Sequence, residues 1–334
     1  MNKKARQKEM DLYKGLLIIL VIIRHVLQYS VGDEGGILTN YIWAVQMPGF
    51  MIVAGYFSFR SIGTVKELGR RLLLSVQHYA LPFFSWFLIV DLVLLGKWNS
   101  NPSKALHTLM YNVDGGLWFL WVVFVLSIIT SFANISLSIG KIKVLKAGFV
   151  GAVCYLILLA IGYFKGLDFL GIKYILYYSI FYLFGWFIRW NEGLIKKIYA
   201  KYGNVIDAVC LLVFLYIIFK YDLYHSSDDV LYIALRCIAG FVGNMILFKL
   251  CLVYAQVLCK AKLEIIGAYT LEIYASHMYV NHLLEKGDSF FTMAGLCNFI
   301  GSFFITTLFT IIIIAVFKSI KVSNFLFYGK KSNS

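Results

Sequence analysis

Long apolar runs dominate this chain and restrict it to a membrane fold. Of its 334 residues, 60% are hydrophobic, 17% are aromatic and only 14% are charged, and the mean hydropathy is +0.78. Apolar runs such as 16–23, 81–95 and 305–317 build segments of the length that a helix needs to cross a bilayer core. Because soluble domains do not have this composition, the sequence predicts an all-α integral membrane protein.

Charged or glycine-rich breaks divide the apolar runs into about ten predicted transmembrane helices. They lie at 12–31, 41–59, 72–95, 117–136, 147–163, 173–190, 204–220, 231–251, 263–283 and 294–317. The predicted organisation is therefore an N-terminal segment at 1–11, a transmembrane domain at 12–317 and a tail at 318–334.

Basic residues are distributed unevenly among the predicted loops. The N-terminus, the even-numbered loops with their helix ends and the tail hold 22 of the 31 basic residues, whereas six lie in or beside the odd-numbered loops. Since cytoplasmic loops carry the excess of Lys and Arg, both termini are predicted to be cytoplasmic in a multi-pass protein of the cell membrane. The net charge of +14 is spread over these patches, which suits lipid headgroups rather than nucleic acid.

The first helix carries a cation and an imidazole on one face. Lys14 and His25 are eleven residues apart, which is three turns plus about 20°, over roughly 16 Å of rise. His25 and His277 each lie about fourteen residues from the predicted cytoplasmic start of their helices, at a matched depth of about 21 Å. Ionisable groups inside spans usually face a cavity, a partner or a path, so the two imidazoles are predicted to share one site.

Structural explanations remain open for these residues. An intramembrane histidine can be a packing residue that is hydrogen-bonded to a backbone carbonyl or a hydroxyl, and this applies to His25 and His277 alike. Arg24 is rotated by 100° from His25, which favours an ion pair within the bundle over catalysis. Arg236 lies near the outer end of its helix, where snorkelling is the default expectation.

The second helix contains the segment Gln46-Met-Pro48-Gly49-Phe50, followed by Ala54-Gly55. A proline inside a span frees a backbone carbonyl and kinks the helix, while glycines let neighbouring helices approach closely. This is a common packing device, and it also suits the wall of a site.

Together these segments resemble the acyltransferase-3 family of integral membrane acyltransferases, over about residues 11 to 320. The motifs that carry the resemblance are, in chain order, Asp11-x-x-Lys14-Gly15 with His25, Gln46-Met-Pro48-Gly-Phe50 with Ala54-Gly55-Tyr56, Arg70-Arg71, Leu81–Trp86, Gly116–Leu120, Leu183–Gly185 and Ile266–His277. Three positions depart from the family pattern. Lys14 replaces the usual Arg and loses its bidentate fork, Gln46 replaces a histidine and cannot titrate, and Ala54 lacks the hydroxyl of a common serine.

The resemblance implies O-acyl transfer, most often of acetyl, from cytoplasmic acyl-CoA to a hydroxyl of a cell-envelope or extracellular glycan. Acyl-CoA is then a substrate, with no permanently bound cofactor and no metal. The other partners are the glycan and membrane lipids, and the envelope polysaccharide-synthesis machinery is a further candidate. The roles expected on this basis are catalysis by His25 and His277, donor binding by Lys14, Arg70 and Arg71, oxyanion or acceptor contacts from Gln46 and Trp118, and structural support from Asp11, Pro48 and Gly55.

Two other functions stay open at this point. A transporter or flippase for a glycan or a lipid-linked intermediate would also use ten helices with buried charge, and would release its substrate unmodified. A scaffold for an envelope-synthesis complex would tolerate substitution of both His25 and His277.

Overall fold

The protein is described by a computed structural model that is almost entirely helical. It covers residues 3–113, 117–135, 138–139, 142–143, 151, 154, 157, 159–166, 169–225 and 229–330, with only the backbone described at 3–7, 138–139 and 142–143. The helices are α1 (Lys3–Ser30), α2 (Ile37–Ser58), α3 (Val65–Leu94), α4 (Pro102–Tyr111), α5 (Trp118–Ala133), α6 (Ile172–Trp190), α7 (Glu192–Lys220), α8 (Val230–Val253), α9 (Ala255–Lys260), α10 (Leu263–Ala268), α11 (Thr270–Asn281), α12 (Met293–Ser319) and α13 (Lys321–Tyr328). Two-residue strands β1 (Ser138–Ile139) and β2 (Ile142–Lys143) form an antiparallel ladder.

Within the described residues, five helices are long and apolar enough to cross a membrane. These are α2, α3, α7, α8 and α12, and each coincides with a predicted span. The predicted spans at 12–31, 117–136 and 173–190 are helical as α1, α5 and α6. The span predicted at 147–163 lies largely outside the described residues. The chain is thus a helical, multi-pass membrane protein.

Helices α1 and α3 begin earlier than predicted, at Lys3 instead of 12 and at Val65 instead of 72. Two other predicted spans also differ from the structure. The span predicted at 263–283 is broken at Tyr269, whose φ of −103° and ψ of 15° separate α10 from α11. Helix α7 begins at Glu192 instead of 204, because the Lys-rich segment before the apolar run is helical too. Hydropathy detects apolar length and therefore misses both features.

The described chain forms two compact units, the first comprising 1–53 with 191–316 and the second comprising 54–190 with 317–334. In the first unit, α1 packs on α10 through glycines. A Cβ on Gly15 would overlap the carbonyl of Leu263 and lie 3.2 Å from the amide nitrogen of Gly267, and a Cβ on Gly267 would overlap the carbonyl of Asp11. The two backbones therefore touch here, as small residues permit in membranes.

Asn244 of α8 ties two other helices of the first unit together. Its Nδ2 donates to the carbonyl of Val45 on α2 at 3.0 Å, and its Oδ1 accepts a hydrogen bond from the Tyr13 hydroxyl of α1. A Cβ on Gly49 would overlap Asn244 and crowd Leu17. Gly49 thus permits close approach, as the sequence predicted, while α2 stays helical through Pro48.

The second unit is held by similar contacts. A Cβ on Gly55 would overlap the backbone carbonyl of Tyr182, so α2 and α6 also meet at a glycine. Helix α3 contains two π-helical stretches, at Val76–Ala80 and Trp86–Leu94. The indole nitrogen of Trp86 donates to the carbonyl of Phe327 at 3.0 Å, which anchors α13.

Adding a methyl group at Gly267 tests the contact between α1 and α10. Since Gly267→Ala places a Cβ against a backbone carbonyl that cannot rotate away, we expect a loss of about 1–3 kcal/mol in stability. The thermal transition of detergent-solubilised protein measures it. Gly301→Ala is the matched control, because nothing lies within 4 Å of a Cβ there. Equal transitions for the two variants would contradict the contact.

Candidate functional site

The histidines of α1 and α11 lie side by side in the first unit. The ring centroids of His25 and His277 are 5.3 Å apart and the rings are tilted by 48°. His277 is fully buried, whereas His25 is partly exposed. The matched depth of the two histidines predicted that they share one location, and the structure places their rings side by side.

Hydrogen bonding fixes the tautomer of His277. Its Nδ1 lies 2.9 Å from the carbonyl oxygen of Tyr274 and 3.0 Å from that of Ile273. Carbonyl oxygens only accept, so Nδ1 carries the proton of the neutral ring and Nε2 carries the lone pair. Among the described residues, Nε2 has no hydrogen-bond partner although it is buried.

The contact with Gln28 fixes the tautomer of His25 in the same way. Its Nδ1 lies 3.3 Å from Gln28 Oε1, and Arg24 donates to that same oxygen from its guanidinium. The arginine holds Gln28 with its oxygen as the shared acceptor, so Nδ1 of His25 is the donor. Both imidazoles therefore keep the Nε2 lone pair available for a proton.

Arg24 differs from its predicted role. Within the described part of the chain it forms no ion pair. It lies over the Tyr224 ring at 4.7 Å from the centroid and hydrogen-bonds Gln28, because cation–π and amide contacts satisfy a guanidinium without a carboxylate. Arg236 donates to the carbonyl of Leu223 at 3.1 Å, near the N-terminal end of α8.

A polar cluster closes the end of the unit beyond His25. Lys286 pairs with Glu34 at 2.8 Å, and the Tyr224 hydroxyl donates to the other oxygen of Glu34 at 3.0 Å. Burial alone would raise the pKa of the Glu34 carboxyl, but these two partners together hold it below its usual value. For Asp33, burial likewise acts to raise the pKa, and hydrogen bonds from Ser289 and the Phe290 amide outweigh it.

The predicted donor-binding cations lie in different units. Lys14 is in the first unit and forms an ion pair with Asp11 at 2.7 Å, with 22% of each side chain exposed. Arg70 and Arg71 are in the second unit. Arg70 is exposed, while Arg71 donates to the carbonyl of Ser58 at 3.0 Å. The grouping of all three stays a prediction.

The remaining predicted residues are also divided between the units. Gln46 is buried in the first unit, and its Oε1 has no hydrogen-bond partner among the described residues. Trp118 belongs to the second unit and is stacked between Tyr174 and Tyr178, with centroids at 5.1 and 5.0 Å. Gly55 permits the contact between α2 and α6, while Pro48 lies inside α2 without interrupting it, and its structural role near the site stays a prediction. Within the described residues, no group of three or more His, Cys, Asp or Glu side chains is placed to hold a metal ion.

Four polar residues near the imidazoles were missed by the sequence analysis. Gln28 follows His25 by three residues, which places it on the same helix face. Asn281 follows His277 by four, and Thr306 and Thr310 are four apart on α12. The i, i+3 and i, i+4 spacings could have indicated these four residues. Single amides and hydroxyls are common in apolar helices, so the spacings alone are not distinctive.

Comparison with known proteins identifies related sequences. A family model described as an acyltransferase domain (acyltransferase-3) matches residues 7–317. The nodulation protein NolL of Mesorhizobium japonicum is 26% identical over 62% of this chain and 56% of its own length. NolL of Sinorhizobium fredii is 29% identical over 34% of this chain and 32% of its own length. The matched region thus spans about half, or less, of these curated relatives. No solved structure matches.

The Asp33 and Glu34 carboxylates of the polar cluster predict a pH dependence of stability. A pKa that is lowered by folding gives stability that is present above the unfolded value, about 4.3 for Glu, and lost as pH falls through the folded value. The thermal transition should therefore fall between pH 6 and pH 3, and fall less in Glu34→Gln. Glu285→Gln, at an exposed position of the neighbouring loop, should behave like the native protein. An unchanged slope in Glu34→Gln would contradict the role of this cluster.

Proposed function

The chain belongs to the acyltransferase-3 family, and from that premise we propose that it is a membrane O-acyltransferase acting from acyl-CoA on a glycan hydroxyl. The observation that carries the proposal is the pair of adjacent imidazoles, both with Nδ1 bound to an acceptor and Nε2 free to take a proton. The CoA donor and the glycan acceptor, a cell-envelope or extracellular polysaccharide, come from the family resemblance, and acetyl is the simplest acyl group.

The proposed reaction needs one base and balances without a cofactor. A sugar hydroxyl oxygen attacks the thioester carbonyl carbon, forming a C–O bond, while the hydroxyl proton moves to an imidazole Nε2. The C–S bond then breaks, and the proton passes from the imidazole to the leaving thiolate, giving the ester and free CoA thiol. A neutral imidazole suits this role because one ring nitrogen can accept the proton while the other stays bonded as a donor.

We assign the base to His25 and a supporting role to His277. His25 is the more exposed of the two imidazoles and is therefore proposed as the base, whereas His277 is enclosed and is proposed to contact the acceptor from within the bundle. Gln28, held by Arg24, keeps the His25 ring in the tautomer that accepts at Nε2. His277, 5.3 Å away by centroid, orients the acceptor or receives a hydrogen bond from it.

The donor is proposed to enter from the other end of α1. Lys14 supplies a cation there for the CoA phosphates, and Asp11 holds the lysine until an anion competes for it. With both termini cytoplasmic in the cell membrane, as the distribution of basic residues suggests, this end faces the acyl-CoA pool. Arg70 and Arg71 remain proposed phosphate contacts, and Gln46 and Trp118 remain proposed contacts to the oxyanion or the acceptor.

Replacing the proposed base tests the mechanism most directly. His25→Ala should lower acyl transfer by roughly 10²- to 10⁴-fold, the usual contribution of a general base, without changing the yield of solubilised protein. Transfer of label from [¹⁴C]acetyl-CoA to envelope glycan measures this, and mass spectrometry shows the lost acyl mass. His107→Ala, at an exposed histidine of α4, should be fully active. Full activity of His25→Ala would remove it as the base, and unmodified glycan from native cells would favour a transporter.

Charge at position 14 should govern the use of the donor. Lys14→Ala is expected to raise the KM for acyl-CoA about tenfold, the effect of losing a charged hydrogen bond, with little change in kcat. Lys14→Arg keeps the charge and should retain the native KM. Lys8→Ala is the control, because Lys8 is an exposed lysine on the same helix, 3.9 Å from Glu264. An unaltered KM in Lys14→Ala would refute the phosphate contact.

A further inference from the structure

Helix α12 carries a polar stripe on its buried side. Its buried residues include Ser302, Thr306, Thr310 and Ile314, spaced four apart, while much of the rest of the helix is exposed and strongly apolar. Residues four apart share a helix face, so three hydroxyls point the same way, toward the interior of the first unit.

Asn281 at the end of α11 faces this stripe directly. Its Oδ1 accepts a hydrogen bond from Thr306 Oγ1 at 3.0 Å. Helix α12 begins near the Ser30 end of α1, where Asn298 donates to the Ser30 carbonyl, and meets Asn281 further along, at Thr306. From these two contacts we infer that one turn back from Asn281 and one turn onward from Thr306 lead in the same direction. These steps, of about 6 Å each, arrive at His277 and Thr310. Thr310 and the catalytic-site histidine therefore lie at the same level.

Polar atoms around the contact between Asn281 and Thr306 have no hydrogen-bond partner within the described chain. They are Nε2 of His277, Nδ2 of Asn281 and Oγ1 of Thr310, and their residues are at most 2% exposed. A buried polar group without a partner is costly, and lipid supplies no alternative. The set comprises an acceptor, a donor and a hydroxyl that does both, without net charge. It therefore matches a neutral group that gives and receives hydrogen bonds.

We propose that the α11–α12 cluster of His277, Asn281, Thr306 and Thr310 is the subsite that binds the acceptor sugar through its hydroxyls. This rests on the proposed acyl transfer and names the residues that select the acceptor. A sugar hydroxyl donates to Nε2 of His277 and accepts from Asn281 or Thr310. The cluster lies toward the Ser30 end of α1, where the Gly287 amide and the Asn298 side chain donate hydrogen bonds to the Ser30 carbonyl. That end of α1 is opposite to Lys14, where the CoA phosphates are proposed to bind. The ligand of the cluster is therefore proposed to be the acceptor sugar and not the amide groups of the CoA donor.

Substitutions of Thr310 distinguish the loss of a hydroxyl contact with the acceptor from a change in packing. Membranes containing the full chain are supplied with [¹⁴C]acetyl-CoA and with polysaccharide extracted from a deletion strain. Thr310→Val keeps the side-chain size and removes the hydroxyl, and should raise the KM for polysaccharide about five- to tenfold, the effect of one lost hydrogen bond. The KM for acetyl-CoA should stay unchanged. Thr310→Ser keeps the hydroxyl and should retain the native KM values.

Thr307→Val is the matched control, because the Thr307 hydroxyl already donates to the carbonyl of Phe303 at 2.8 Å. It should behave as the native protein. A native KM for polysaccharide in Thr310→Val, a raised KM for acetyl-CoA instead, or equal losses in the Val and Ser variants would overturn the subsite. Absence of any transfer by the native protein would reject the proposed function itself, and the subsite with it.

Discussion

The backbone contact between Gly15 and Gly267 determines the geometry of the first unit. Because a Cβ at either position would meet the opposite backbone, the two helices have one register. His25 lies ten residues beyond Gly15, and His277 lies ten residues beyond Gly267. The helices run in the same direction, so equal spacing from one contact brings the two imidazoles together about 15 Å away. The break at Tyr269 does not disturb this match.

The imidazole pair is held by groups that leave it neutral and oriented. Two backbone carbonyls bind Nδ1 of His277, and a side-chain amide binds Nδ1 of His25. Fixing one nitrogen of each ring as donor determines what the other can do. Arg24 contributes at a distance, since its contact with Gln28 orients the amide. In a medium without water, such internal partners replace solvent as the source of orientation.

Hydropathy predicts the features that depend on apolar length, such as the spans and the depth of a residue. Neither hydropathy nor loop charge predicts the features that depend on contacts between side chains. The five apolar spans and the shared depth of His25 and His277 follow from counting residues. The break at Tyr269 and the early start of α7 involve no change that hydropathy detects. The partners of Arg24 are an amide and an aromatic ring, which have no charge pattern. Thr310 was overlooked because a hydroxyl becomes informative only when Asn281 is seen opposite Thr306.

The parallel pairing of α1 with α10 and α11 also constrains how the chain is threaded. Two neighbouring spans that point the same way require the intervening chain to return to its starting side. With α1 and α10–α11 as spans, as the sequence predicts, the topology needs an odd number of crossings between Ser30 and Leu263. Seven crossings, the number in the ten-helix prediction, meet this requirement. A threading with an even number would turn α11 over and place His277 at the wrong level for His25. The position of the two imidazoles therefore constrains how many crossings any proposed topology can have between Ser30 and Leu263.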